Sequence, residues 1–323
     1  MMPLLMMDGL DCYITNAATE EDVNKADIIF YNRICSDAIH SYAKSQNKKI
    51  IIDVDDYWRL DPHHIAYSEY IINNFEAMQI RHIEQADLIV TTHERLAAKI
   101  KPYNDNILIC PNAIPNHKYF NIERTESTLP RIFWQGSITH EADLMLLKNP
   151  FKRLTKCATV IAGYTKHDVW GKMVNAFTNG LTLPGAVLSG LPPHEYYRNY
   201  GAADICVAPL LDTAFNSMKS NLKVLEAAHA GLPIICSRVD PYLDLPVLYA
   251  EKQTDWFKHL NMLIHDADAR YIHGHNLKNY CDKYFNYKQI NQLRHDRFIG
   301  LTAGVSKSEQ ATLRDIAEGA VLD

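Results

Sequence analysis

The chain has 323 residues, 47% of them hydrophobic and 22% charged, with a formal net charge of −5. That length suffices for two domains with separate cores, the composition is that of a globular protein, and the acidic balance supplies no overall field to draw in nucleic acid. Seven cysteines without a CxxC pair fit a reducing compartment and argue against a zinc ribbon. The opening MMPLLMMDG lacks a basic flank, and no uncharged run approaches the ~18–20 residues that span a bilayer, so no transmembrane segment and a cytoplasmic location are expected.

Taken in order, the first half alternates short apolar runs with helical stretches, the signature of a parallel α/β sheet. Cys12–Thr15 is expected as a weak strand and Asp27–Tyr31 as a firmer one, with a helix over Ser36–Ser45 behind it. Lys49–Val54 (KIIIDV) is β-branched and runs straight into Asp55 and Asp56. One long helix is expected over Ser68–Gln85, then a strand at Asp87–Val90, a helix at Glu94–Ile100 and a strand at Ile107–Cys110. The polar stretch 121–130 reads as a linker. A second cycle of αβ units follows, with strands at Arg131–Trp134, Ala158–Ala162, Val187–Leu188, Asp204–Ala208, Pro233–Cys236 and Val247–Tyr249. A helix over Asp255–Asp266 and a polar helical tail from Tyr284 complete the chain.

Two stretches carry chemistry. Asp53, Asp55 and Asp56 crowd the carboxyl end of an apolar strand, where an open α/β sheet places its site. Asp53 and Asp55 share one face of the extended backbone. They suit a divalent metal held by a DxD pair, the aspartate nucleophile of a phosphatase, or a sugar acceptor and positive charge at a reacting carbon; a plain acidic helix cap also fits. The second stretch, 202–237, reads as strand, loop, helix, Gly231-Leu232-Pro233 and strand, one βαβ unit. Its loop Asp212–Ser220 lies where a helix N-terminus meets phosphate and carries Asn216, Lys219 and Ser220. Lys219, Lys223 and Glu226 follow the spacing of one helix face, two cations and a carboxylate suited to a nucleotide diphosphate and its ribose, or to a solvated surface pair. Upstream, Gly136 and Ser137 form a turn after a strand, and His140 sits where the next helix begins.

In their order, ADIIFYNR, KKIIIDVDDYW, ADLIVTTHERLA, ICPNAIP, IFWQGSITHEADL and LPPHEYYRNYGAADICVAPLLDTAFNSMKSNLKVLEAAHAGLPIICS resemble the GT-B glycosyltransferases of the retaining, family-4-like type, in their small bacterial and phage-encoded branch. The resemblance implies an α/β protein of two Rossmann-like domains facing a cleft. An acceptor-side domain would occupy 1–127, with a tail helix at 286–305 crossing back to it. A donor domain would occupy 128–285, with a tail at 306–323. It implies transfer of a sugar from a UDP- or GDP-sugar, the UDP-sugar favoured, with retention and no required metal or other cofactor. The acceptor is left open among a glycan, a protein and a modified DNA base. Gly136, Ser137, His140, Asn216, Lys219, Ser220, Lys223 and Glu226 would bind the donor, and Asp55 and Asp56 would be catalytic. Glu226 falls on the second glutamate of the family's E-x7-E motif, whereas Met218 stands in place of the first. The alternatives are a DxD metal-dependent phosphatase-like hydrolase and a non-catalytic nucleotide-sugar-binding module.

Overall fold

The computed structural model describes residues 7, 10–62, 64–115, 120–180 and 182–302; the tail expected over 306–323 lies outside them. The chain folds as two compact units. One comprises residues through Arg59, Tyr70–Pro111 and the segment from Tyr287; the other comprises Leu60–Glu69 and Asn112–Asn286.

The first unit is built on a four-stranded sheet in the order β1-β2-β3-β4, from β1 (Ile28–Asn32), β2 (Lys49–Val54), β3 (Leu88–Thr91) and β4 (Ile107–Ile109). All pairings are parallel. Buried Ile50, Ile51, Ile52, Leu88, Ile89 and Val90 supply the near-continuous apolar runs that a sheet covered on both faces needs. Its helices are α1 (Glu20–Lys25), α2 (Asp37–Ser45), α3 (Tyr67–Ile72), α4 (Phe75–Gln85) and α5 (Glu94–Ile100), with α3 straddling the unit boundary. The cap of α1 is reciprocal: the Asp22 amide donates to Thr19 Oγ1, and the Thr19 amide donates to the Asp22 carboxylate. Ser36 Oγ accepts from the Ile39 amide at the start of α2.

Two expectations fail here. No strand forms over Cys12–Thr15, a run too short and too exposed to hold a sheet edge. The long helix expected over Ser68–Gln85 is two helices, because Asn74 adopts a left-handed backbone (φ 52°) that α-helical hydrogen bonding does not tolerate.

The second unit holds a six-stranded parallel sheet in the order β10-β9-β8-β5-β6-β7. The strands are β5 (Arg131–Gln135), β6 (Ala158–Tyr164), β7 (Gly185–Ser189), β8 (Ile205–Ala208), β9 (Ile234–Ser237) and β10 (Leu248–Ala250). Its helices are α6 (Glu141–Leu144), α7 (Lys148–Phe151), α8 (Val169–Phe177), α9 (Leu222–His229), α10 (Gln253–His265) and α11 (Ala267–Tyr284). The chain starts at β5, grows outward through β6 and β7, then returns to pair β8 with β5 and grows the other way. One core packs Trp134, Phe151, Trp170, Phe177, Trp256 and Leu260; a second packs Phe133, Tyr200, Val224, Leu225 and Leu277. The polar stretch 121–130 belongs to this unit: Thr125 N donates to Gly201 O, and Arg131 donates to both Thr125 and Asp204. After α11, the helix α12 (Tyr287–Thr302) belongs to the first unit, where Phe298 packs on Ile51, Leu88, Val90 and Cys110.

Candidate active site

The strand order reverses between the parallel neighbours β5 and β8, the topological switch point of the second sheet, and open α/β sheets bind ligands in the crevice beyond the carboxyl ends of such strands. Two loops leave the sheet there. The first follows β5 and holds Gly136, Ser137 and His140. The second follows β8 and runs through Asn216 and Lys219 to α9.

Gly136 is fixed by its surroundings. A Cβ there would stand 2.6 Å from the Trp134 ring, and one on Gly163, whose φ is +104°, would stand 2.0 Å from Gly136 O. Two backbones and an indole therefore meet where only glycine fits. The Ser137 hydroxyl pairs with that of Thr139 at 2.6 Å on the exposed face of the turn.

Asp143, buried on α6, ties the two loops together. Its Oδ2 pairs with His140 Nδ1 at 2.8 Å, while its Oδ1 accepts from the Leu211 amide at 2.8 Å and from Asn216 Nδ2 at 3.2 Å. Burial holds the His140 imidazole below its ordinary pKa, with Asp143 opposing in part. The neutral ring with Nδ1–H on Asp143 has Nε2 as an acceptor, suited to a hydroxyl rather than to a phosphate oxygen. Asn216 also donates to Leu211 O at 3.0 Å, so its amide shapes the loop.

Lys219 does not lie on α9. The 3-10 turn Asn216–Met218 ends at Lys219 in an extended conformation, and the helix begins only at Leu222. The shared helix face expected from spacing therefore begins at Lys223. Lys219 Nζ lies 4.6 Å from the centre of the Phe215 ring, and Ser220 Oγ accepts from Asn112 Nδ2 at 2.9 Å. Lys223 crosses to the end of β5, where Nζ donates to the Gln135 carbonyl. Burial pulls its ammonium below the usual lysine range, the Glu226 carboxylate opposing and Lys219 assisting.

Glu226, 5% exposed, is held by residues that spacing did not single out. Tyr196 OH donates to Oε1 at 2.5 Å and Tyr200 OH to Oε2 at 2.6 Å. Burial raises its carboxyl pKa, against the pull of Lys223 and the two hydroxyls. The tyrosines stand four apart on the 3-10 helix Tyr196–Ala202, and that i, i+4 spacing was the available sequence signal. A carboxylate has about four acceptor positions, so two hydroxyls do not saturate it.

In the first unit, Asp55 and Asp56 follow β2. Asn32 Nδ2 donates to Asp55 Oδ1 at 3.1 Å and to Asp53 O at 3.2 Å. Arg33, with a left-handed backbone (φ 58°), sets its guanidinium 3.7 Å from Asp55 and 3.5 Å from Asp56. Burial, and next the charge of Asp55, push the Asp53 carboxyl up to about 6. A compensating cation for Asp55 and Asp56 is thus the neighbouring Arg33 at the end of β1, which sequence reasoning missed, while Asp53 feels the charge of Arg294.

Residues 129–266 match the family described as Glycosyl transferases group 1. No curated protein matches the chain by sequence. By structure the chain is similar to Anabaena HepE, solved with UDP-glucose: TM-score 0.66, 10% identity, 87% of this chain and 80% of that one. It is also similar to sucrose-phosphate synthase from Thermosynechococcus elongatus (TM-score 0.62, 12% identity, 91% and 81%). A third likeness is to a UDP-forming trehalose-phosphate synthase from Burkholderia xenovorans (TM-score 0.57, 11% identity, 86% and 74%).

Proposed function

We propose that this chain is a glycosyltransferase that moves a sugar, with retention, from a UDP-sugar to an acceptor bound by the first unit, a reading supported by the match of residues 129–266 to glycosyl transferases group 1 and by the two Rossmann-like units of the GT-B type. The observation that carries this reading is the switch point between β5 and β8, where Lys223 reaches the Gln135 carbonyl just before the Gly136 turn and Glu226 lies buried on the same helix, α9. A UDP-sugar is preferred over a GDP-sugar because the Anabaena neighbour is described with UDP-glucose.

In this reading the two ammonium groups and the α9 N-terminus stabilise the departing diphosphate. Glu226 accepts from the ribose hydroxyls, and His140 Nε2 accepts from a hydroxyl of the donor. Met218, at the end of its 3-10 turn, supplies no carboxylate to the donor sugar. Asp55 and Asp56 act on the acceptor side, their charge tempered by Arg33. No metal is assigned a role, since the lysines supply the positive charge that the leaving group requires. The group 1 domain favours transfer over both a DxD phosphatase and a non-catalytic module.

The test is UDP release from a panel of UDP- and GDP-sugars with glycan, peptide and modified-DNA acceptors, with and without a chelator. Acceptor-dependent release that survives the chelator is expected. Phosphate release from simple esters, abolished by the chelator, would overturn the assignment.

A further inference from the structure

In the first unit a second cluster stands apart from Asp55 and Asp56 in its chemistry. Cys35 follows β1, His40 lies on α2 and His82 on α4, and one potential ligand atom from each lies within 4.8 Å of the others. Both histidines are buried, each 1% exposed. Their outer nitrogens are engaged: His82 Nε2 with Asp37 Oδ1 at 2.8 Å, and His40 Nε2 with Gln85 Oε1 at 2.9 Å. Arg81 grips the same Asp37 carboxylate through two contacts of 2.7 and 2.8 Å. Acceptors at both Nε2 positions place the proton there and leave a lone pair on each Nδ1. Tyr31 OH meets His40 Nδ1 at 2.7 Å, but His82 Nδ1 has no hydrogen-bond partner although it is buried. A buried polar atom left unmatched is costly, so its retention calls for a partner the protein chain does not itself supply.

We propose that Cys35 Sγ, His40 Nδ1 and His82 Nδ1 bind one divalent cation of the zinc class, with water in the fourth position. The ligand types are those zinc takes. Asp37 and Gln85 supply the outer hydrogen bonds that orient metal-bound imidazoles. The thiol proton leaves to solvent as the cation enters, and the Tyr31 hydroxyl, which also pairs with Cys35, turns from His40 to the thiolate. Zinc–nitrogen and zinc–sulfur bonds of about 2.0–2.3 Å require the three ligand atoms to draw in by roughly 1 Å. The imidazoles, now stacked at 4.1 Å and 3° from parallel, must tilt to converge. Such a site would staple the end of β1 to α2 and α4.

The experiment titrates reduced, chelator-treated full-length protein with cobalt(II) and follows absorption. A thiolate-to-cobalt charge-transfer band with the intense visible bands of a four-coordinate ion is expected, displaced by zinc. Cys35→Ser should abolish the charge-transfer band, and His82→Ala should weaken cobalt binding at least tenfold. In wild-type protein, zinc should slow maleimide labelling of Cys35, read by peptide mass spectrometry, which keeps the test open should a variant fold poorly. A cobalt spectrum without thiolate character, one that survives Cys35→Ser, or labelling of Cys35 unaffected by zinc would overturn the proposal.

Discussion

Replacing Glu226 by glutamine keeps the shape of the side chain and removes its charge, and the consequences follow from its contacts. The two tyrosine hydroxyls bond to a carboxylate that is 5% exposed. Hydrogen bonds to a charged group contribute about 1.5–3 kcal/mol each, against about 1 for neutral pairs. Losing the charge therefore removes roughly 1–4 kcal/mol over two bonds, part of it offset because an ion no longer has to be buried. A net loss of about 2 kcal/mol lowers the melting temperature by about 4–8 °C for a unit of this size. On the proposed ribose assignment the same substitution removes the charge that the ribose hydroxyls would meet, so calorimetry should show UDP binding weakened about 10- to 150-fold. Tyr200→Phe separates the two effects. It should cost similar stability while leaving UDP affinity within about threefold. Undiminished UDP affinity in Glu226→Gln, with the melting temperature lowered in both variants, would make Glu226 a structural anchor and refute the ribose assignment.

Other variants probe the remaining contacts. Lys219→Ala should weaken UDP binding about tenfold with little change in melting temperature, measured by calorimetry and thermal shift. Asp55→Asn should lower turnover at least tenfold while donor affinity stays near wild type, checked by UDP release. Gly163→Ala should destabilise the second unit by more than ~2 kcal/mol in thermal melts, since its φ of +104° and the 2.0 Å approach to Gly136 O leave no room for a methyl group. Asp53 sets a pH dependence. Its folded pKa, about 6, stands above the ordinary 3.8, so its stabilising share is present below about pH 4 and lost as pH rises towards 6. Asp53→Asn should therefore gain in melting temperature relative to wild type between pH 4 and 7.

The β-branched runs at Lys49–Val54 and Ile107–Cys110, and Gly231 closing α9 with φ +67°, made most elements legible, because burial and chain stiffness act locally. The strand order was not legible. Return of β8 to the side of β5 is decided by which faces pack, and it alone creates the switch point. Glu226 and Lys223 were found from spacing. Their partners Tyr196, Tyr200 and Gln135 were not, since the pairs are separated by 30, 26 and 88 residues. Spacing also misled at Lys219, where the 3-10 turn before it breaks the helical register. Asn216, taken for a ligand contact, spends its amide on Asp143 and Leu211.

Hydrogen exchange of the full chain with and without UDP tests the donor site most directly. Bound UDP should protect backbone amides in 135–141 and 213–226, the loops after β5 and β8 with the start of α9, while the Glu226→Gln variant loses that protection at the same nucleotide concentration. Protection absent from both loops, or confined to residues outside the second unit, would contradict the account.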